Sequence, residues 1–276
     1  MSRGLGDVYK RQVFDTTPYT ILVVDDNPDM TDFLKRTFEG YFKRIIIAGD
    51  GVEALQLVRS HVPDIIVSDV MMPRMNGYKL CKTIKEDINI SHIPVILLTA
   101  RDDRQSQISG YKNGADGYLS KPFEVEMLME LIRNRLKNRE YTKKRYLNAG
   151  LIPTPEESTI SLTDETFLIK LNSIIQENIE NSNLGIQFIC QEVGLGRSSL
   201  YNKLKALTGM GANEYISKLR IEKAITLISG TDMPFSEIAE KTGFTTPSYF
   251  STAFKQYTGE TPSQYKERKK KGLADK

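Results

Sequence analysis

Ile65-Ile66-Val67-Ser68-Asp69-Val70-Met71-Met72-Pro73 is the stretch that decides the fold. Four residues of strand character run into a single carboxylate, and Pro73 with Met75-Asn76-Gly77 ends the run. An apolar, β-rich stretch bounded by such breakers predicts a buried parallel strand. Its last side chain emerges outside the carboxyl ends of the strands, where open α/β sheets bind ligands. Taken alone, Asp69 reads first as a strand-terminal residue capping the next turn.

A second acidic strand end changes that balance. Ile21-Leu22-Val23-Val24 runs directly into Asp25-Asp26, and Asn27-Pro28 then turns into a helix. If the two strands are parallel neighbours, three carboxylates crowd into one crevice. Such a cluster repels itself without a cation, and oxygen donors with water suit Mg²⁺. Val95-Ile96-Leu97-Leu98 ends in Thr99-Ala100, and Tyr118-Leu119-Ser120 ends in Lys121-Pro122. A hydroxyl and an ammonium beside a metal and a lone carboxylate make a phosphoryl-accepting pocket. The carboxylate is the nucleophile, while the cation, lysine and threonine hold the phosphoryl oxygens.

With these four strand ends in this order, residues 20 to about 141 resemble the receiver domain of a two-component response regulator. The resemblance implies Asp69 as phospho-acceptor, Asp25 and Asp26 as the acidic Mg²⁺ pair, Thr99 as the switch hydroxyl and Lys121 as the invariant lysine. It further implies that Met71 supplies a backbone carbonyl to the metal and that the Tyr118 ring reports phosphorylation. Met71 and Arg101 occupy positions expected to tune the lifetime of the acyl phosphate. The implied fold is a flavodoxin-like α/β domain, a five-stranded parallel sheet of order 2-1-3-4-5 with its switch point at the acid cluster.

The rest of residues 19–141 supports this. Strands expected near 20–24, 44–48, 65–68, 95–98 and 117–120 alternate with helices over 28–38, 51–60, 77–84, 103–113 and 124–138. Such alternation implies right-handed crossovers with helices on both faces of the sheet. At 276 residues, the chain has room for about two domains of roughly 100–150 residues each. The net charge of +3 says little about partners. Cys81 and Cys190 fall in different predicted domains and read as reduced thiols, and His61 and His92 without Cys-x-x-Cys make no zinc site. No apolar run approaches the roughly 18–20 residues of a membrane span, and no signal-peptide core is present, so the expected location is cytoplasmic. Residues 1–18 have no useful periodicity and are expected to be disordered or foreign to the natural protein. Residues 142–164, with Lys143, Lys144, Arg145, Pro153 and Pro155, are expected to be a linker.

From residue 165 to 270 the pattern is all-α and repeats. Leu204-Lys205-x-x-Thr208-Gly209 with Tyr215 recurs fifty residues later as Phe254-Lys255-x-x-Thr258-Gly259 with Tyr265. Each unit is a short helix, a turn at Gly194 or Gly243, and a second helix over 197–207 or 247–257, which is a helix-turn-helix occurring twice. Leu200, Leu204 and Leu207 are expected inward and Ser198, Tyr201 and Asn202 outward. In the second unit Phe250, Phe254 and Tyr257 are expected inward and Ser248, Ser251 and Thr252 outward. Short polar side chains on an exposed helix suit base edges in a major groove. Arg197, Lys203, Lys205, Lys218, Arg220, Lys223, Lys255 and Lys266, with the run 268–271 and the basic tail 271–276, are the candidates for phosphate contacts.

Residues 167–269 therefore resemble the AraC-type DNA-binding domain, two helix-turn-helix units bridged by a long helix over 213–228. Gly243-Phe244, Tyr249-Phe250, Gly259-x-x-Pro262 and Tyr265 are its most specific marks. Ala212, where the second unit has Pro262, departs from the pattern. The two resemblances together imply a phosphorylation-controlled regulator that dimerises on activation. Its implied partners are operator DNA, a histidine kinase (separate or in the same natural polypeptide) and, at the promoter, RNA polymerase. The arrangement is similar to the C-terminal part of hybrid two-component proteins, which would make it the cytoplasmic end of a longer membrane-anchored sensor. It is not expected to be an enzyme beyond its own phosphoryl transfer and hydrolysis at Asp69. The alternative is a phosphorelay or phosphate-sink module whose helical domain binds protein.

Overall fold

A computed structural model describes residues 14–100, 114–148 and 161–274. The chain divides into two compact units, residues 1–86 with 93–140 and residues 141–276 with 87–92. Among the described residues there are five strands and eleven helices.

The first unit is built on five parallel strands, β1 (Thr20–Val24), β2 (Arg44–Ala48), β3 (Ile65–Asp69), β4 (Val95–Ala100) and β5 (Gly117–Lys121). Their order is β2-β1-β3-β4-β5, as expected. Val24 pairs with Ser68, Asp69 with Leu98 and Ala100 with Lys121. The register thus brings Asp25, Asp69, Thr99 and Lys121 to one edge of the sheet. Helices α1 (Pro28–Phe38), α2 (Gly51–His61), α3 (Gly77–Glu86) and, up to residue 140, α4 (Val125–Asn148) complete the described part of this layer architecture. Asn27 Oδ1 accepts from the Asp29 amide and Pro28 opens the helix, so α1 starts immediately after the acidic pair. Ile21, Val23, Leu34, Phe38, Leu128 and Ile132 share one core with no exposed surface. Each such side chain contributes roughly 1.5–3 kcal/mol by leaving water.

Two expectations change here. Helix α4 does not stop at Asn138 but runs to Asn148, because no glycine or proline interrupts its Arg, Glu, Lys and Leu residues before Gly150. The expected linker over 142–164 is accordingly helical at both ends, while 149–160 lie outside the described residues. The expected helix over 103–113, and Arg101, also lie outside them, as do residues 1–13 of the N-terminal stretch and 275–276 of the tail.

The second unit contains α5 (Leu162–Glu177), α6 (Ile186–Val193), α7 (Arg197–Thr208), α8 (Ala212–Gly230), α9 (Phe235–Lys241), α10 (Pro247–Thr258) and α11 (Pro262–Ala274). Helix α5 starts at Leu162 because Ser161 caps it: the Ser161 side chain accepts from the Asp164 amide. Phe167, Leu168, Leu171, Ile174 and Ile175 are buried, as their spacing predicts. Leu200, Leu204, Leu207, Phe250 and Phe254 are buried as expected, whereas Tyr257 is half-buried, with its hydroxyl donating to Glu214 O at 2.7 Å.

The duplication extends to backbone geometry. Gly194 and Gly243 have φ of 73° and 72°, and Gly209 and Gly259 have 76° and 82°, the left-handed cap that ends a helix at little cost only in glycine. Gly243 is held twice over, since a Cβ there would lie 2.2 Å from Ile179 O. At the start of α8, Glu214 accepts from the Gly211 amide at 3.3 Å, and at the start of α11 Gln264 accepts from the Thr261 amide at 2.9 Å. Ala212 and Pro262 occupy the same first helical position, so the departure from proline at 212 leaves the turn intact.

Candidate functional site

In the first unit, Asp69 closes β3 and is buried. Its Oδ2 accepts from the Met71 amide at 2.7 Å, which fixes the carboxylate against the loop that follows. That loop returns closely. Gly77 donates its amide to Val70 O at 3.0 Å, and a Cβ on Gly77 would sit 2.2 Å from Asp69 O. Only glycine lets α3 begin there.

Lys121, at the end of β5, brings the carboxylates together. Its Nζ donates to Asp69 Oδ1 at 2.6 Å and to Asp25 Oδ2 at 2.8 Å. Burial pulls the Lys121 pKa down, but the hydrogen bonds and charges of Asp25 and Asp69 outweigh it and the net direction is upward. Asp25 is buried, with Oδ1 accepting from the Asn27 amide at 2.9 Å. Asp26 is exposed and Met71 is 72 % exposed. Among the described residues no three His, Cys, Asp or Glu side chains close around one point. The structure therefore joins Asp25 and Asp69 through Lys121 and leaves Asp26 facing solvent. Thr99 is buried, and its hydroxyl has no hydrogen-bond partner among the described residues. Tyr118, on β5, is half-buried.

In the second unit, Ser198, Tyr201, Asn202 and Lys205 on α7 are exposed, as are Ser248, Thr252 and Lys255 on α10; Ser251 is half-buried. Every residue expected on the two outward faces is thus at least partly accessible. The surrounding cations divide differently. Lys203 is wholly buried and paired with Asp164, its ammonium 5.1 Å from the Phe167 ring centre. Arg220 is buried and donates to Asn181 O at 2.6 Å, with burial pushing its pKa down. Lys218 is buried beside Glu222, at 3.8 Å. These three, expected as phosphate contacts, belong instead to the unit's interior. Lys203 lies three positions after Leu200 on the inward stripe of α7, so the spacing already pointed it inward, and Asp164 was the partner to seek.

Residues 21–133 match the family model described as response regulator receiver domain, and residues 189–268 match the one described as helix-turn-helix domain. The chain is 36% identical over 165 residues to the response regulator MprA of a Mycobacterium species, covering 55% of this chain and 70% of that protein. The chain belongs to the response regulators. It is also 41% identical over 249 residues to histidine kinase P4 of Formosa agariphila, which covers 90% of this chain but 18% of that protein. With the DNA-binding response regulator MtrA of Mycolicibacterium smegmatis it shares 36% identity over 136 residues, 49% of this chain and 58% of MtrA. The chain thus spans less than two thirds of the length of these last two relatives.

Sequence reasoning missed one feature of this response regulator next to its receiver pocket. Asp50 is buried, caps α2 by accepting from Val52 and Glu53, and pairs with Arg74, whose φ is +60°. The loop after Asp69 is thereby tied to the start of α2. The Gly49-Asp50-Gly51 turn was legible as a cap, but its pairing with Arg74 carries no sequence signal.

Proposed function

We propose that the chain is a phosphorylation-controlled DNA-binding regulator, in which Asp69 accepts a phosphoryl group from a histidine kinase and the tandem helix-turn-helix binds operator DNA. The observation that carries this reading is the Lys121 ammonium shared by Asp25 and Asp69 at the carboxyl edge of a parallel sheet. An Asp69 carboxylate oxygen attacks the phosphorus of a phosphohistidine; the P–N bond breaks, an acyl phosphate forms, and the leaving imidazole takes up a proton. Lys121 pairs with the phosphoryl oxygens, and the buried Thr99 hydroxyl donates to one of them as Tyr118 turns.

The pocket fits Mg²⁺. Two buried carboxylates against one ammonium leave a negative charge uncompensated, and Asp25, Asp26, Asp69 and the Met71 carbonyl are all oxygen donors. Mg²⁺ needs only one or two carboxylates from the protein and keeps water for the rest, which suits a site where side chains do not form a full cage. When bound, it neutralises charge on the phosphoryl oxygens.

Ser198, Tyr201, Asn202, Ser248, Ser251 and Thr252 face base edges, and Lys205 and Lys255 face phosphates. Phosphorylated copies pair, and two DNA-bound copies tighten each other by effective concentration. The kinase is a separate protein or part of the same natural polypeptide, and the segment works in the cytoplasm. Selection of bound DNA from a random pool, with and without beryllofluoride and Mg²⁺, tests this. A motif enriched more strongly with the phosphoryl mimic, and indifferent to it in Asp69→Ala, is the expected result. No enrichment in either state overturns the reading.

A further inference from the structure

The two outward helix faces are copies of one pattern with different chemistry at their centres. Fifty residues separate Ser198 from Ser248, Tyr201 from Ser251, Asn202 from Thr252 and Lys205 from Lys255. The leading serine and the trailing lysine are kept. The middle pair changes from an aromatic ring and a carboxamide to two small hydroxyls.

How those groups are already engaged sets what each can still offer. Thr252 Oγ1 donates to Ser248 O at 3.1 Å, and Ser251 Oγ donates to Pro247 O at 2.9 Å. A hydroxyl has one hydrogen, so neither can also donate to a guanine O6, a thymine O4 or a purine N7. Thr252 is exposed and is left with a methyl group and oxygen lone pairs. Asn202 is also exposed, and no hydrogen bond ties its amide to the described residues. Its NH₂ and C=O both remain available. With Ser198 and Tyr201 it borders a cavity of about 540 Å³, which gives a base edge room to approach.

We propose, resting on the DNA-binding reading above, that the two units read different features of the major groove. Asn202 recognises adenine by paired hydrogen bonds to N6 and N7, and Thr252 recognises thymine through its C5-methyl group. A carboxamide with free donor and acceptor matches the adenine edge bidentately, and a threonine methyl matches the thymine methyl. The Thr252 oxygen then accepts from the N6 amino group of the adenine paired with that thymine. A C·G pair offers an amino group too but lacks the methyl, so the methyl contact decides. Each protomer therefore reads two dissimilar sub-sites, one set by hydrogen bonds and one by an apolar contact.

The test uses the full chain with beryllofluoride and Mg²⁺, first to select DNA from a random pool, then to measure binding to the enriched site with single atoms changed. Deoxyuridine in place of thymidine removes only the methyl; 7-deazaadenine in place of adenine removes only N7. Asn202→Ala is expected to erase an adenine preference at one position of one sub-site, with binding to the unmodified site falling roughly ten- to a hundredfold, and to make binding indifferent to 7-deazaadenine there. Thr252→Ser is expected to lose about fourfold discrimination between thymidine and deoxyuridine in the other sub-site, the worth of one buried methyl group. Thr252→Val, which keeps the methyl and discards the hydroxyl, should retain that discrimination. Thr252→Ser behaving as wild type towards deoxyuridine, or an unchanged motif in Asn202→Ala, overturns the assignment while the DNA-binding reading stands. A wild-type chain that enriches no motif overturns both.

Discussion

The ammonium of Lys121 lies 2.6 Å from Asp69 Oδ1. The same nitrogen contacts Asp25, so one cation holds both buried carboxylates at the carboxyl ends of the strands, beside the oxygens that would hold Mg²⁺. Removing it should tighten Mg²⁺ binding, because a unit charge within about 4 Å opposes a divalent ion even where screening is strong. Lys121→Met is therefore expected to bind Mg²⁺ at least about tenfold more tightly by calorimetric titration, and to lose its response to beryllofluoride. The stability difference carries a pH signature. The Lys121 pKa is raised above its ordinary 10.5, so its contribution is complete below that value and fades only as pH climbs through the raised one. The melting-temperature gap between wild type and Lys121→Met should be flat from neutrality to about pH 10 and narrow above it. A gap that closes near neutrality would contradict the pairing.

Gly243 and Gly259 offer a controlled comparison, since both hold a left-handed backbone but only one is crowded. At Gly259 an added Cβ meets nothing within 4 Å, so Gly259→Ala should cost only the conformational penalty, about 1–2 kcal/mol. At Gly243 the same atom meets Ile179 O at 2.2 Å and Arg220 Nη2 at 2.8 Å. Overpacking adds to the backbone cost there, and Gly243→Ala should lose about 3–4 kcal/mol in urea unfolding. Equal losses would mean that α9 can move away from Ile179 freely.

These contrasts mark what was legible from sequence. The end of β3, the acidic end of β1 and the fifty-residue repeat were readable because each depends on local chemistry: apolar runs, breakers, and glycines placed where a helix must reverse. The strand order then followed from the resemblance, and the register delivered Asp25, Asp69, Thr99 and Lys121 to one edge. What stayed hidden depends on pairs far apart in the chain. The Asp50 and Arg74 pair, and the withdrawal of Lys218 and Arg220 into the helical unit, cannot be read from charge alone, because a cation on a helix looks the same whether it meets a phosphate or a buried partner. The end of α4 was misplaced because the run Lys143-Lys144-Arg145 is as good a helix former as it is a linker.

Cys81 has no exposed surface, and burial pushes its thiol pKa from 9.0 up to about 12. It should stay protonated and closed to reagents at pH 8, while the half-buried Cys190 reacts. A thiol titration is expected to count one group in the native chain and two in denaturant. The raised pKa also predicts an alkaline loss of stability. Above about pH 9 the unfolded thiol ionises while the folded one does not, so folding weakens as pH rises between the two values. Cys81→Ser removes the ionising group, and its unfolding free energy should lack that part of the alkaline decline. Rapid labelling of both thiols in native buffer would overturn the assignment.

Lys203 and Lys205 sit two residues apart on α7 and should fail in different ways. Lys203 is wholly buried against Asp164, and removing one partner of a buried pair leaves the other charge uncompensated, at a cost of about 3–5 kcal/mol. Lys203→Met should therefore lower the unfolding midpoint sharply. The paired substitution Lys203→Met with Asp164→Leu should recover most of the loss, since two apolar groups of similar size leave no stranded charge. At a temperature where Lys203→Met is still folded, its DNA affinity should depend on salt as steeply as that of wild type. Lys205 is exposed. Lys205→Ala should leave stability within about 0.5 kcal/mol and reduce the slope of log affinity against log salt by about one. Lys255→Ala, its counterpart in the second unit, should do the same. A shallower salt slope for Lys203→Met than for Lys205→Ala would place the buried lysine on the DNA after all and overturn the division of these cations into interior and interface.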